Sequence, residues 1–420
     1  MKAVKVRLYP NAEQQHIIAS QMGAVRYVYN RTLALRIFAY KKFGLKVGKF
    51  DLIKHITKLK EREKTSWLKE ADSQALQQSV ANMDSAYKHF FKGGGFPKFK
   101  SKHHSRQSFQ YPQRVKIEDN KIYLPKVGWV KCKGLRSDVS GKIKTVTVSY
   151  EAYQYHASIL FDDGEKVIQP NTNGHIVGID VGVSLVVADS DGNRVKPLEL
   201  IKELSKLRKC AQQLSRKKKG SKNRAKAKAK IAKQNLHIAN MRKDFLHKLS
   251  RSYSENQTVI VENLKIKNMT KSAKGTEEKP GKNVAQKRGL NRSITQQSWG
   301  MFFEFLEYKL KENGGALIKV APEFTSQICN CCGHISKENR QSQAKFVCTA
   351  CGHSDNADIN ASKNIRDRGI HGSNASHQTA AQELWRKNPP RKQGGVSRGG
   401  VSNGCKTLSQ AINKLLEGGK

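Results

Sequence analysis

Residues Thr325 to Ile365 read TSQICNCCGHISKENRQSQAKFVCTACGHSDNADINASKNI, and the rest of the chain is organised around this stretch. Two CxxC pairs, Cys329/Cys332 and Cys348/Cys351, are separated by fifteen residues, a spacing typical of a zinc ribbon. Each pair fits a tight turn that points both sulfurs at one ion, and four thiolates complete the closed tetrahedral site of structural zinc. The sequence therefore predicts one Zn²⁺ held by these four cysteines.

The neighbours of the cysteines support this prediction and leave alternatives open. Gly333 and Gly352 follow the second cysteine of each pair, where such turns often need positive φ. His334 and His353 are alternative ligands in place of a cysteine, and Cys331 lies out of register. A closed four-cysteine site does no chemistry itself, so the predicted ribbon stabilises a small excursion of the chain.

The charge of the chain predicts its partners. Over 420 residues the formal net charge is +44, and the repulsion between these charges destabilises the folded chain. Such a charge favours a polyanionic partner. Nucleic acid is the first candidate and an anionic membrane the second. No apolar run approaches the roughly 18 residues that span a bilayer, and the N-terminus lacks the apolar block of a signal peptide. We expect a cytoplasmic protein, in which CxxC pairs bind zinc rather than form disulfides.

The first half of the chain predicts a β-barrel with a helical insert. Residues 3–9 alternate as a strand does, residues 11–95 carry helical periodicity, and residues 113–169 return to short strands. The first strand has no partner nearby in sequence, so the economical arrangement is one barrel from residues 1–10 and 96–172. The helical domain, residues 11–95, is then an insertion.

The second half predicts an α/β domain. An apolar strand ends at Asp180, a second ends at Glu262, and one or two long helices lie between them. Residues 265–292, rich in Lys and Gly, predict a mobile loop, and residues 293–311 an amphipathic helix. The domain comprises residues 173–325 and 354–370, interrupted by the ribbon at 326–353. A basic tail, residues 371–420, is predicted to be disordered. The fold class is multidomain α+β.

Three acids form the candidate catalytic site: Asp180, Glu262 and Asp358, the last opening a predicted helix. A lone acid after an apolar strand is usually a cap or turn residue. Three carboxylates at the edge of one sheet repel one another unless cations lie between them, and two Mg²⁺ ions about 4 Å apart would satisfy such a cluster. Asp355 competes with Asp358 for the third position, since spacing alone does not separate them.

The stretch from Lys206 to Lys233 contains thirteen Lys or Arg and no acid. A solvated helical face normally mixes both signs, so this stretch predicts phosphate contacts with nucleic acid. The candidate nucleic-acid-binding residues in it are Arg216, Lys217, Lys218, Lys219, Lys222, Arg224, Lys226, Lys228 and Lys230.

Several motifs resemble one known family. GIDVGVSLVVADSDG, VIVENLKIKNM and the cysteine stretch through NADINASKNI resemble the three RuvC-like motifs and inserted zinc ribbon of TnpB proteins. The opening RLYPNAEQ, FPKFKSK and LPKVGWVK are similar too, so the resemblance covers roughly residues 1–370. TnpB proteins are accessory transposases of small insertion sequences and relatives of compact type V CRISPR effectors.

The resemblance implies an RNA-guided DNA endonuclease from a prokaryote, acting at the nucleoid. A guide RNA would pair with the target strand, the protein would read a short motif in the adjacent duplex DNA, and one RuvC-like, ribonuclease H-like site would cut both strands. The barrel and its insert would be the wedge and recognition domains. Asp180, Glu262 and Asp358 would be the catalytic Mg²⁺ ligands, and the four cysteines the zinc ligands.

Two other functions remain open from the sequence. A non-cleaving RNA-guided DNA binder, acting as a repressor or targeting factor, would use the same charge and zinc but needs no acid triad. A strand-transfer transposase would also use acidic residues, although the sequence shows no tyrosine nucleophile motif.

Overall fold

The computed structural model describes residues 1–104, 106–135, 141–162, 164, 174–255 and 257–371. Residues Met1–Asp367 form one compact unit, and a second unit begins at Arg368. Only residues 368–371 of the second unit are described, so the predicted disordered tail lies outside the described residues apart from its first one. Within these ranges, no helix combines the length and apolar character needed to cross a lipid bilayer.

A seven-stranded antiparallel sheet forms the first layer, in the order β2-β6-β7-β1-β5-β4-β3. Its strands are β1 (Lys2–Tyr9), β2 (Arg106–Tyr111), β3 (Lys116–Glu118), β4 (Lys121–Leu124), β5 (Gly128–Lys133), β6 (Lys142–Glu151) and β7 (Gln154–Asp162). The N-terminal strand lies in the middle, between β7 and β5, and so finds the distant partners that the sequence predicted. The described pairings run from an edge at β2 to an edge at β3; closure into a barrel stays a prediction.

Helices follow β1 and pack on this sheet. They are α1 (Ala12–Phe43), α2 (Lys49–Glu61), a 3-10 helix (Glu63–Lys69) and α3 (Ser73–Phe91). Asn11 and Gln14 cap α1 reciprocally, each side chain accepting the other's backbone N–H, and Gly44 ends it at φ 66°. The apolar faces of the helices and the sheet share one hydrophobic core, which includes Val6, Leu33, Leu76 and Val148.

A five-stranded sheet forms a second core, in the order β10-β9-β8-β11-β12. Its strands are β8 (His175–Asp180), β9 (Val187–Asp189), β10 (Arg194–Val195), β11 (Gln257–Glu262) and β12 (Ala316–Val320). Strands β8, β11 and β12 are parallel, and β9 and β10 are antiparallel additions at one side. Because the carboxyl ends of parallel strands meet at one edge, the last residues of β8 and β11 lie side by side.

The helices of this second part are α4 (Ile201–Ser215), α5 (Lys222–Ser252), α6 (Ile266–Met269), α7 (Val284–Gln297) and α8 (Trp299–Glu312). The predicted mobile loop at 265–292 is wrong in part, because α6 and the first half of α7 form there. Tertiary hydrogen bonds stabilise this segment: Lys287 Nζ donates to Met269 O at 2.7 Å, and Asn291 Nδ2 to Thr270 O at 2.9 Å. The helix predicted over 293–311 is interrupted at Ser298, whose φ is 57°.

The ribbon contains two short strands, β13 (Lys345–Val347) and β14 (Ser354–Asn356), and α9 (Ala357–Ile370) follows directly. Helix α9 packs closely on β8 at Gly178, where a Cβ would collide with Ser362 O and the backbone of Arg366. Only glycine fits there. This crossing brings the chain back from the ribbon to the sheet and places the first turn of α9 near the end of β8.

Candidate active site and metal centre

The four predicted cysteines form a group that can hold a metal ion. Their Sγ atoms all lie within 4.8 Å of one another, and no other group of three or more Cys, His, Asp or Glu in the described ranges is so close. Cys329 Sγ is 3.8 Å from Cys351 Sγ, and Cys332 Sγ is 3.6 Å from Cys348 Sγ. With Zn–S bonds of about 2.3 Å, sulfurs at the corners of a tetrahedron lie about 3.8 Å apart, so the group fits zinc.

Two matching turns build this centre. Gly333 N donates to Cys329 O at 2.8 Å and Gly352 N to Cys348 O at 3.0 Å, and the two glycines have φ of 75° and 72°. The prediction of positive φ at both glycines is confirmed. Burial raises the pKa of the Cys329 thiol to about 11, and a bound cation would favour its thiolate form.

The structure brings the three predicted acids to one edge of the second sheet. Asp180 ends β8 and Glu262 ends β11, and the neighbouring pair Ile179 and Val261 are in register. Asp358 lies in the first turn of α9, which crosses β8 two residues before Asp180. All three side chains are half-buried, open enough to be reached from solvent.

The electrostatics of Asp180 record this proximity. Burial, then the charges of Glu262 and Asp358, raise the pKa of Asp180 to about 7, while the charge of Arg340 opposes the shift. Carboxylates so placed favour either a proton or a cation between them. Oxygen donors alone are what Mg²⁺ prefers, so the donor set fits that ion rather than a soft metal. The carboxylate oxygens of the three acids do not all lie within 4.8 Å of one another, whereas the four sulfurs do.

Asp355 is held in different surroundings from Asp358. Lys363 Nζ lies 2.7 Å from Asp355 Oδ2, and its Oδ1 accepts from Asn356 N at 2.7 Å. The carboxylate of Asp358 instead receives Arg340 Nη2 at 3.0 Å. Asp358, and not Asp355, is the acid whose charge reaches Asp180.

Thr325 and two asparagines support the acids, and the sequence reasoning missed all three. Buried Thr325 donates through Oγ1 to Glu262 Oε1 at 2.6 Å. Asn360 Nδ2 donates to Ile328 O at 2.8 Å, and Asn364 Nδ2 to Thr325 O at 2.9 Å, so α9 is bound to the chain entering the ribbon. Asn356, Asn360 and Asn364 recur every four residues, and this polar stripe was the signal available in the sequence.

The ribbon and α7 both touch the loop that follows Asp180. Gln343 Nε2 donates to Ser184 Oγ at 2.6 Å, and Gln297 Nε2 donates to Val183 O at 3.1 Å. Arg340 Nη2, besides binding Asp358, donates to Gln343 O at 3.0 Å. The segment that carries the four cysteines therefore also contacts the acid site.

The predicted basic residues lie around the α4–α5 turn and along the start of α5. Eight of the nine are exposed, and none forms an ion pair with an acid in the described part of the chain. Arg224 is half-buried, because its Nη1 donates to Leu214 O and Lys217 O. These hydrogen bonds fix the turn between the two helices. The other basic residues form a positive face without acidic partners in the described residues, and such a face favours polyanions.

Three family models match the chain. One described as "Cas12f1-like, TNB domain" matches residues 299–365, and one described as "Probable transposase", of the IS605 OrfB type, matches residues 153–273. A third, the IS605 OrfB "Helix-turn-helix domain", matches residues 1–45. In the structure those residues form β1 and the single helix α1, so the description does not match their conformation here.

Two curated relatives match most of the chain. "Putative RNA-guided DNA endonuclease InsQ" of Escherichia coli (strain K12) is 40% identical over 370 residues, covering 87% of this chain and 91% of the relative. A Streptomyces pristinaespiralis protein with an RNA-guided DNA endonuclease description is 32% identical over 377 residues, covering 88% and 89%. A cryo-EM structure of a Cas12f1–sgRNA–target DNA complex aligns with a TM-score of 0.49 at 15% identity, over 87% of this chain and 98% of that one. Similarity that low carries no conclusion about fold or function.

Proposed function

The chain belongs to the TnpB family, the IS605 OrfB-type transposase relatives that include the RNA-guided DNA endonucleases just compared, and we propose that it is an RNA-guided, Mg²⁺-dependent DNA endonuclease of a transposable element. A guide RNA selects the target by base pairing, and cutting occurs beside a short DNA motif. Its partners are that RNA and double-stranded target DNA, in the cytoplasm and at the nucleoid of a prokaryote.

The placement of three acids at one sheet edge is the observation that carries this proposal. Asp180 and Glu262 end adjacent parallel strands, and the pKa of Asp180 rises toward neutrality because its carboxyl group is buried and because Glu262 and Asp358 are close. Asp358 also forms an ion pair with the half-buried Arg340, at 3.0 Å.

Asp180, Glu262 and Asp358 would hold the Mg²⁺ ions, two in our proposal. If bound there, Mg²⁺ would supply activation of a water nucleophile and stabilisation of the leaving 3′ oxygen of the phosphodiester. Thr325 fixes the rotamer of Glu262 by its hydrogen bond, and Arg340 fixes Asp358. Support of this kind orients metal ligands and commonly contributes about ten- to a hundredfold to affinity or activity.

The zinc centre and the basic face complete the proposal. Zn²⁺ on Cys329, Cys332, Cys348 and Cys351 stabilises the ribbon, from which Arg340 reaches Asp358. The exposed Lys and Arg of the α4–α5 turn contact phosphates of the RNA or DNA without reading sequence.

The test begins with the protein co-purified with RNA transcribed from its own locus. That RNA is sequenced, and a plasmid library is made with the matched target beside randomised sequence. Cutting is measured with and without Mg²⁺, with RNA removed, and on a scrambled target. The proposal predicts cuts only when RNA, match and Mg²⁺ are all present, next to one enriched flanking motif.

The other outcomes separate the competing functions. Cutting that persists on the scrambled target or without RNA leaves a nuclease but contradicts guidance. Tight, guided binding without any cutting indicates the non-cleaving binder. Joined DNA strands in place of free ends indicate strand transfer.

A further inference from the structure

A small pocket between α5 and α7 is lined by three arginines. Its volume is about 330 Å³, within the roughly 300–1,000 Å³ range of ligand sites. Arg242 comes from α5, and the remaining lining residues come from one face of α7 at three- and four-residue spacing. They are Arg288, Asn291, Arg292, Thr295 and Gln296.

The positive charge of this pocket has no acidic counterpart among the described residues. No acid lines it, and none of the three arginines forms an ion pair with an acid in the described ranges. Like charges held together without neutralisation destabilise the folded chain, so an anion bound among them would be stabilising.

Two buried atoms of the pocket residues also lack partners. Arg242 Nε is inaccessible to solvent and has no hydrogen-bond acceptor. Asn291 Nδ2 donates to Thr270 O and Lys271 O, which fixes the amide and leaves its Oδ1 buried without a donor. Burial lowers the pKa of Arg242, as expected of a guanidinium without a counter-ion. Buried polar atoms are usually satisfied, so the packing of α5 against α7 leaves polar groups of the chain without internal partners.

The helix that lines the pocket, α7, ends against the loop that follows Asp180. Gln297, at the end of α7, donates to Val183 O in the loop after Asp180. Arg292 lies five residues earlier on the same helix, about 7–8 Å along its axis at 1.5 Å per residue. A strand whose backbone reaches the acids across α7 would pass these guanidinium groups.

We propose that Arg242, Arg288 and Arg292 bind one backbone phosphate of the nucleic-acid strand that runs beside the acid site. Planar guanidinium groups match phosphate oxygens through paired hydrogen bonds, which is the geometry three arginines around one pocket offer. The strand is DNA or guide RNA. The two sources are separable, because loss of co-purified RNA in the arginine variants indicates the guide and loss of DNA binding indicates the target. This inference rests on the proposed function only for the statement that the strand continues to the acid site. Binding of a phosphate by the three arginines does not depend on it.

The test measures phosphate contacts directly. Full-length protein, with its co-purified RNA, binds a labelled single-stranded DNA oligonucleotide without Mg²⁺, and affinity is followed against salt concentration. Each phosphate contact on a single strand contributes about 0.7 to the slope of log affinity against log salt. Arg288→Gln and Arg292→Gln, both exposed, should each lower the slope by up to that amount, and the double variant by no more than one contact. Lys248→Gln, on α5 and paired with Asp244, removes one charge elsewhere and should leave the slope unchanged.

Neutral linkages identify the phosphate. Methylphosphonates are placed one at a time along the oligonucleotide. One linkage should weaken wild-type binding and have no further effect on Arg292→Gln, a coupling that independent sites do not show. If instead the variants carry less co-purified RNA and bind DNA normally, the phosphate belongs to the guide.

The inference is overturned if the arginine variants match Lys248→Gln in slope, in RNA content and at every neutral linkage. That result would leave guided cleavage, and hence the proposed function, intact. Conversely, a changed slope in a protein that shows no guided cleavage keeps the phosphate site and removes the proposed function.

Discussion

Replacing Thr325 with valine should impair the acid site without touching an acid. Thr325 is 4% exposed, and its hydroxyl donates to Glu262 Oε1 at 2.6 Å. A hydrogen bond to a charged group contributes about 1.5–3 kcal/mol, equivalent to roughly ten- to a hundredfold in an equilibrium constant. Valine keeps the shape and removes the donor, so Glu262 loses its fixed rotamer and one stabilised oxygen.

The assay is the rate of guided plasmid cutting against Mg²⁺ concentration. Thr325→Val should raise the Mg²⁺ concentration for half-maximal rate, or lower the rate at saturation, by about ten- to a hundredfold. Thr325→Ser keeps the hydroxyl and should stay close to wild type. A valine variant with wild-type Mg²⁺ dependence, or a serine variant as defective as the valine one, would refute the role given to this hydrogen bond.

Three further perturbations test other parts of the site. Cys348→Ser should abolish stoichiometric zinc binding, measured by elemental analysis, and lower the melting temperature, because the tetrahedral site loses one ligand. Cys331 lies outside the four-sulfur group, so Cys331→Ser should keep its zinc. Arg340→Gln should lower the cutting rate about tenfold with zinc content unchanged, since Asp358 loses its 3.0 Å partner; an unchanged rate contradicts that role. In Mg²⁺-free buffer the melting temperature should decline as pH rises from about 4 to 7. In the folded protein the pKa of Asp180 is raised from 3.8 to about 7, so over this range the folded protein keeps a proton that the unfolded chain has already released. Asp180→Asn should remove that part of the decline, and an identical pH profile in the variant would contradict it.

Local patterns predicted the grouping of the four cysteines and the strand-end positions of two acids. The CxxC spacing reports a tight turn, and each turn does form with a glycine at positive φ. Asp180 and Glu262 follow apolar runs, and apolar runs of that length predict buried parallel strands whose ends share an edge. In both cases the chemistry and the local backbone depend on neighbouring residues in the chain.

Helix α7 could not be predicted in the same way. Its first half is rich in Lys, Arg and Gly and has no apolar stripe, and Ile294 is its one buried residue. Tertiary hydrogen bonds from Lys287 and Asn291 to carbonyls around α6 stabilise it instead, and sequence periodicity does not encode these contacts. The arginine pocket was missed for the same reason.

The choice between Asp355 and Asp358 also depended on tertiary structure. Three residues apart, both acids fit the spacing, but the helix that packs on Gly178 begins at Ala357. Asp355 lies in β14 and forms an ion pair with Lys363. Asp358 forms an ion pair with Arg340, and its charge contributes to the raised pKa of Asp180. The supporting residues Thr325, Asn360 and Asn364 likewise act through partners more than thirty residues away.

The most direct test of the catalytic assignment is guided, Mg²⁺-dependent plasmid cutting by four conservative variants of equal charge change. Asp180→Asn, Glu262→Gln and Asp358→Asn should each lose cutting while keeping RNA, DNA binding and zinc. The carboxylate of Asp355 pairs with Lys363 instead, so Asp355→Asn should cut at a rate near wild type. Cutting retained by any of the first three, or lost only in Asp355→Asn, would contradict the account.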